Sequence, residues 1–377
     1  MTLVDGYCAP QFARVKEAFE HNFEANDEIG ASVSIFSGSE RLVDLWGGHT
    51  DRDRSTPWQE DTLVNVWSTT KGVMAACFAA AVDRGALSYD DKVGDHWPEF
   101  AVAGKQDVTI GALLSHQSGL CGFRSPAATE DYYDLETAAA RLAAAEPFWP
   151  PGSQSGYHAI SIGALGSALL KRAEGRYVQD FVADELNAAL GLDIFVGLPP
   201  EHSDRCSLLI APPEMDSAAT ATAPELTEAQ IATLANPPLD AMTANTSEWR
   251  AADIPSANGH ATARALAELY AMHVSKSELS QRLASQKAIQ KATQTQCDGV
   301  DVILGIEARW GCGFMLNSTG LYGPNPRAFG HSGWGGSFAF ADPDAGIGVA
   351  YTMNRMGTDL VGDPRNGALI EAIYASL

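Results

Sequence analysis

Val66-Trp67-Ser68-Thr69-Thr70-Lys71-Gly72 opens the apolar run Val73 to Val82, and the folding of this stretch decides how the rest of the chain is read. Val73, Met74, Cys77, Phe78 and Val82, with alanines between them, leave no polar side on a helix, so the run predicts a buried one. Arg84 and Gly85 supply its C-terminal stop. A helix here puts Ser68 in its first turn and Lys71 three residues later on the same face, within reach of one another. A serine hydroxyl is a weak nucleophile until a base takes its proton. A lysine is such a base only where burial or nearby positive charge keeps it neutral. The free amides of a helix start also favour an oxyanion forming nearby. Ser-x-x-Lys alone is a common coincidence, and its usual reading is an N-cap serine and a solvated lysine. The apolar continuation favours nucleophile and base, because a solvated lysine face would go on with polar residues at Ala75 and Cys77 or Phe78.

The 377 residues allow one large composite domain or two. With 25 basic against 47 acidic side chains, the formal charge of −22 opposes binding to nucleic acid or anionic membranes and serves solubility. No apolar run approaches the roughly 18 residues of a membrane span. The start Met1-Thr2-Leu3-Val4-Asp5 has no signal-peptide pattern, and a soluble, cytoplasmic protein is expected. Cys8, Cys77, Cys121, Cys206, Cys297 and Cys312 form no C-x-x-C pair, so they indicate neither a zinc site nor a disulfide framework and read as small core residues. The nine histidines show no H-E-x-x-H or paired ligand spacing. No metal or other cofactor is expected.

Pro10 starts a helix with Phe12, Val15, Phe19 and Phe23 on one stripe, ending at Asn26-Asp27. Ala31 to Phe36 and Arg41 to Trp46 read as strands around the hairpin turn Ser37-Gly38-Ser39-Glu40. A short run, Thr62 to Trp67, leads into the Ser68 helix. From Ala86 to about Leu198 the reading is helical, with helices at Ile110 to Leu114, Leu135 to Ala145 and Ala159 to Ala173. Ala211 to Ser247 reads as a long irregular loop with one short helix at Thr227 to Leu234. Thr262 caps a helix through Met272. Trp310 to Leu316, Ser337 to Phe340 and Ile347 to Met353 read as strands, and Arg365 to Leu377 as a closing helix. No internal repeat is visible. The sum is an α+β fold: an antiparallel sheet built from both chain ends and flanked by terminal helices, with an inserted, mostly helical domain. Residues 1–85 and 255–377 are expected to form the sheet domain and 86–254 the helical one, with the site in the cleft between them.

Two further stretches carry chemistry. Pro151-Gly152-Ser153-Gln154-Ser155-Gly156-Tyr157 delivers a tyrosine from a glycine-rich loop. Gly330-His331-Ser332-Gly333-Trp334-Gly335-Gly336 precedes a strand, and its glycines let a ligand lie against backbone amides. Together and in this order, the three stretches resemble the motifs of the serine β-lactamase and penicillin-binding-protein superfamily. Within it the chain looks most like the family VIII carboxylesterases, the esterases similar to class C β-lactamases. Leu113-Leu114-Ser115-His116-Gln117-Ser118-Gly119-Leu120, Gly191-Leu192-Asp193 and Ser256-Ala257-Asn258-Gly259-His260 extend the likeness over nearly the whole chain.

The resemblance implies that Ser68 is the acylated nucleophile, Lys71 its proton acceptor or relay, and Tyr157 a partner in the general-base role. His331-Ser332-Gly333 takes the third-motif position on an edge strand. The implied oxyanion hole is the backbone N–H of Ser68 and of Trp334, with His331, Gly333 and Trp334 lining the substrate. Two departures bear on substrate. Tyr157-His158-Ala159 stands where class C β-lactamases have Tyr-x-Asn, and His331-Ser332-Gly333 stands where they have Lys-Thr-Gly. An amide and a fixed positive charge are both missing, which weakens β-lactam recognition and leaves acyl transfer intact. A serine carboxylesterase acting on short-chain esters is the expected activity. A β-lactamase, a D-amino peptidase, an amide hydrolase or an acyltransferase would use the same three residues, and a non-catalytic penicillin sensor would keep the fold. A Ser-His-Asp hydrolase built on His116, His158 or His331 is disfavoured, because the chain has no Gly-x-Ser-x-Gly elbow.

Overall fold

The hairpin read around Gly38-Ser39 seeds the main sheet. In the computed structural model, which describes residues 4–212, 225–275 and 282–377, β2 (Gly30–Ser37) and β3 (Glu40–Gly48) pair antiparallel with Ser37 opposite Glu40. Gly38 takes the left-handed conformation this two-residue turn needs. An N-terminal strand that no pattern announced, β1 (Val4–Cys8), adds to the free edge of β3. Short strands β4 (Val64–Asn65), β5 (Ile194–Val196) and β6 (Gly259–Ala261) make a separate sheet in the order β4-β6-β5. The C-terminal part supplies β7 (Cys297–Val300), β8 (Glu307–Trp310), β9 (Met315–Leu316), β10 (Phe329–Ser332), β11 (Phe338–Asp342) and β12 (Ile347–Met353). The main sheet runs β1-β3-β2-β12-β11-β10-β9-β8-β7, so β12 pairs with β2 and joins the two ends of the chain.

All seven residues of β12 are buried, with no polar alternation, because both of its faces are covered. On one face Tyr351 meets Phe19 of the helix Ala13–Ala25 edge-on at 6.5 Å. That helix packs beside the C-terminal helix Pro364–Tyr374. On the other face lies the helix Ala263–Val274, capped by the Thr262 side chain as expected. It comes so close that a Cβ at Gly348 would overlap the backbone of Ala267 and Ala271. The helix Thr70–Asp83 is buried from Thr70 to Ala81 and stops at Arg84 and Gly85.

The inserted region holds the expected helices at Ile110–Leu114, Leu135–Ala144 and Ser161–Glu174, and also contributes β5. In the stretch expected to be one long loop, Thr227 and Gln230 form a reciprocal cap on the helix Glu228–Leu234. A 3-10 turn at Ala241–Asn245 and a helix at Ser247–Ala251 order more of that stretch than its composition suggests, while residues 213–224 lie outside the described ones. Two strand readings need correction. Trp310 to Leu316 is not one strand: β8 and β9 fold back on each other around Gly311–Phe314, with Gly313 in a left-handed turn. Nor does His331 sit on an edge strand, since β10 is sixth of nine. The β9 pairing ends at Gly330, so His331 and Ser332 pair only with Ala339 and Phe338 of β11. Their other side is open because β9 is two residues long. Among the described residues no helix is long and apolar enough to cross a membrane.

Candidate active site

Ser68 lies in a 3-10 turn, Trp67–Thr69, that feeds directly into the helix bearing Lys71, rather than in the helix proper as the spacing suggested. The two side chains still meet, with Lys71 Nζ 3.0 Å from Ser68 Oγ. The lysine is buried, and its Nζ also donates to the carbonyl oxygens of Ala159 at 2.7 Å and Ser256 at 2.8 Å. None of these three partners is a carboxylate. Burial without a counter-charge therefore holds the Lys71 ammonium well below the usual lysine range. Ser68 itself is half-buried.

Tyr157 arrives from the glycine-rich loop and is fixed through its backbone. Its N–H donates to Asp301 Oδ1 at 2.9 Å, and the N–H of Gly156 donates to the carbonyl of His116 at 3.0 Å. The same Asp301 oxygen accepts from the N–H groups of Ile303 and Leu304, so one buried carboxylate organises two loops. The phenol ring stacks on Trp310 at 5.8 Å and meets His116 edge-on at 5.0 Å. Lys71 Nζ stands 4.7 Å from the ring centroid. The Tyr157 hydroxyl lies beside Ser68, and burial raises its pKa, so it carries its proton at neutral pH. Ser68, Lys71 and Tyr157 are thus brought together.

His331 is buried, with Nδ1 2.8 Å from its neighbour's carbonyl, Ser332 O. Burial pushes it down to about 3, leaving a neutral imidazole where the resemblance had a lysine. Gly333 passes so close to the nucleophile turn that a Cβ there would overlap the Val66 carbonyl. Ser337 Oγ donates to that carbonyl at 2.8 Å and lies 3.0 Å from Thr69 Oγ1. Trp334 is half-buried, with its ring 5.1 Å from that of Trp67. Trp67 has a φ of 47°, a left-handed conformation that costs a bulky residue roughly 1–3 kcal/mol and that marks functional turns.

The three histidines weighed for a triad have other partners. His116 Nδ1 accepts the N–H of His158 at 3.2 Å, and His158 is held by Ser118 Oγ at 2.8 Å and Gly156 O at 2.6 Å. Among the described residues none has a hydrogen bond to Ser68 or to a carboxylate. No group of three or more His, Cys, Asp or Glu side chains among the described residues is arranged to hold a metal ion. Sequence reasoning missed Asp301, Trp310 and the two carbonyls that receive Lys71. Main-chain acceptors leave no trace in residue identity, and Asp301 and Trp310 meet the site only through β7 and β8.

Residues 15–372 match the beta-lactamase family. The chain belongs to that family. The esterase/beta-lactamase LipL of Mycobacterium tuberculosis is 31% identical over 367 residues, spanning 95% of this chain and 84% of LipL. Among solved structures, a family VIII carboxylesterase is 41% identical with a TM-score of 0.93, each chain covered in full. A penicillin-binding protein homolog from Caulobacter crescentus is 43% identical, also at a TM-score of 0.93 and full coverage of both chains. The sheet built from both ends and the covering helices are therefore those of the family.

Proposed function

We propose that this beta-lactamase family member is a serine carboxylesterase that hydrolyses short-chain esters through an acyl-enzyme on Ser68. One observation carries the reading: a buried lysine amine, without a carboxylate partner, 3.0 Å from a serine hydroxyl. A neutral amine has two N–H groups and one lone pair. The Ala159 and Ser256 carbonyls can only accept, so they take the two N–H groups and the lone pair is left for the Ser68 O–H. Lys71 is then the base that removes the proton as Ser68 Oγ attacks the ester carbonyl. The oxyanion of the tetrahedral intermediate is received by the backbone N–H groups of Ser68 and Trp334. Tyr157, protonated at neutral pH, gives its proton to the departing alkoxide and regains one from the Lys71 ammonium. Water repeats the cycle on the acyl-enzyme, with the same groups in the reverse order.

Ser68 and Lys71 come from the sheet-bearing part and Tyr157 from the helical insertion, which is the reason for locating the reaction at the seam between them. His331, Gly333 and Trp334 line the substrate side in this reading. The likeness to a solved family VIII carboxylesterase and to LipL supports ester hydrolysis. The missing amide at Ala159 and the neutral His331 speak against strong β-lactam turnover.

The reading is tested with Ser68→Ala, which keeps the turn and removes the nucleophile. Hydrolysis of p-nitrophenyl butyrate is expected to vanish while the circular dichroism spectrum is kept, and a fluorophosphonate is expected to add mass to the peptide holding Ser68 in the wild type. An active Ser68→Ala enzyme, or labelling of another serine, would overturn it.

A further inference from the structure

The geometry points to Trp67 as a positioning residue that holds the two oxyanion donors in register, an inference that rests on the proposed acyl-transfer site. The donors belong to distant parts of the chain, Ser68 in the turn before the buried helix and Trp334 after β10. Trp67 touches both. Its own peptide carries the Ser68 N–H, so its backbone angles aim the first donor. Its indole lies 5.1 Å from that of Trp334, whose N–H is the second.

The far side of Trp67 is anchored. Trp249, fully buried, lies 5.3 Å away, and its Nε1–H donates to Asn65 Oδ1 at 2.8 Å. Asn65 in turn donates to the Ala257 carbonyl at 3.0 Å. The Trp67 carbonyl accepts from Thr70 Oγ1, which itself accepts the N–H of Gly259 at 2.9 Å. The stack thus runs from the small sheet, through Trp67, to the rim of the site. Trp67 Nε1 is buried and has no hydrogen-bond partner among the described residues, so the indole is used for its faces and not for its N–H. A φ of 47° suits glycine far better than tryptophan, and a tryptophan kept in that conformation is held by what surrounds its ring.

The Ser337 hydroxyl, bonded to Val66 O, sets the distance between the two segments, and the paired indoles set their tilt. Donors stabilise an oxyanion only when both point at the place where the charge develops. Loss of the stack therefore slows the chemical step more than it weakens substrate binding.

Trp67→Ala, Trp67→Phe and Trp334→Leu are compared with the wild type on p-nitrophenyl acetate and butyrate, and in the rate of fluorophosphonate labelling. Trp67→Ala is expected to lower kcat and the labelling rate roughly 10- to 100-fold, with KM changed less than about three-fold. Trp67→Phe is expected to recover most of the loss. Trp334→Leu alters a half-buried ring and decides the matter even if Trp67→Ala does not fold. It is expected to lower kcat on acetate as well as on butyrate. A change in Trp334→Leu that depends on acyl length, with full kcat on acetate, would show a pocket wall and not a clamp. Wild-type kcat in folded Trp67→Ala, or a loss confined to KM, overturns the inference while labelling at Ser68 still upholds the site. Labelling at a different serine overturns both.

Discussion

Lys71 owes its chemistry to its surroundings: the same residue on an exposed helix would be an inert cation. Burial removes the water that would stabilise its charge, and the two carbonyls that receive it orient the amine without neutralising a charge. Because burial holds its pKa well below the usual lysine range, the reactive neutral form is reached at a lower pH than on an exposed lysine. The rate is expected to fall as the pH drops through that depressed value and Lys71 charges. On the alkaline side it should hold until Tyr157, whose pKa is raised, begins to lose its proton. A pH profile of kcat/KM checks this, and an acid limb that survives unchanged in Lys71→Ala would remove the assignment. Since the two side chains handle one proton, Lys71→Ala, Tyr157→Phe and the double variant are expected to lose similar, non-additive amounts of activity, read from a double-mutant cycle. Residues also set the substrate. An alkoxide leaves more easily than an amine, and a β-lactam needs anchors that Ala159 and neutral His331 do not supply. Each missing anchor costs about 1–3 kcal/mol, so the loss of two is expected to put kcat/KM on a cephalosporin at least roughly 30-fold below that on p-nitrophenyl butyrate. Equal efficiency on the two would move the protein to the β-lactamases in function as well as in family.

At the scale of elements, the buried helix Thr70–Asp83 works only because of where it is thin. Gly72 faces the helix Ala263–Val274, and a Cβ at that position would overlap the hydroxyl of Tyr270. Propensity alone says that Gly72→Ala should gain up to about 1 kcal/mol. Overpacking costs about 1–3 kcal/mol, so a lower Tm is expected instead. Among the described residues the buried Tyr270 hydroxyl has no hydrogen-bond partner, so its removal loses little. Gly72→Ala/Tyr270→Phe should therefore recover the stability that Gly72→Ala loses, and thermal melts of the single and double variants decide the point. The helix and its stop were legible in the apolar run, because burial on all sides is written in composition. Its first turn was not: the 3-10 geometry at Ser68 follows from the left-handed Trp67, which no propensity favours. Likewise, the glycines Gly311 and Gly313 inside an otherwise strand-like run turn it into a hairpin.

Across the whole molecule, the two ends of the chain are locked by a buried ion pair. Arg365 of the last helix donates to Glu28 at 3.0 Å, to the Arg355 carbonyl at 2.8 Å and to the Gly335 carbonyl at 2.7 Å, and it also pairs with Asp363. Glu28 also accepts from Tyr351 of β12. Removing one partner of a buried pair leaves the other uncompensated, and Arg365→Leu is expected to cost roughly 3–5 kcal/mol in chemical denaturation. Adding Glu28→Gln should return part of that cost; a double variant as unstable as the single one would show that the pair's charge is not what matters. The sequence by itself determined the buried helix that begins beside Ser68 and Lys71, the hairpin near the start, the terminal helices and the three motif stretches in their family order. These are local patterns: apolar periodicity, turn residues and short spacings are carried by neighbouring side chains. Tertiary structure alone decided that β10 is interior yet open beside His331, and that Asp301 and Trp310 hold Tyr157. It also placed the Ala159 and Ser256 carbonyls against Lys71 and stacked three tryptophans behind the nucleophile. Those features depend on strand order and on main-chain groups common to every residue, and chain segments distant in sequence meet only when the sheet joins the two ends.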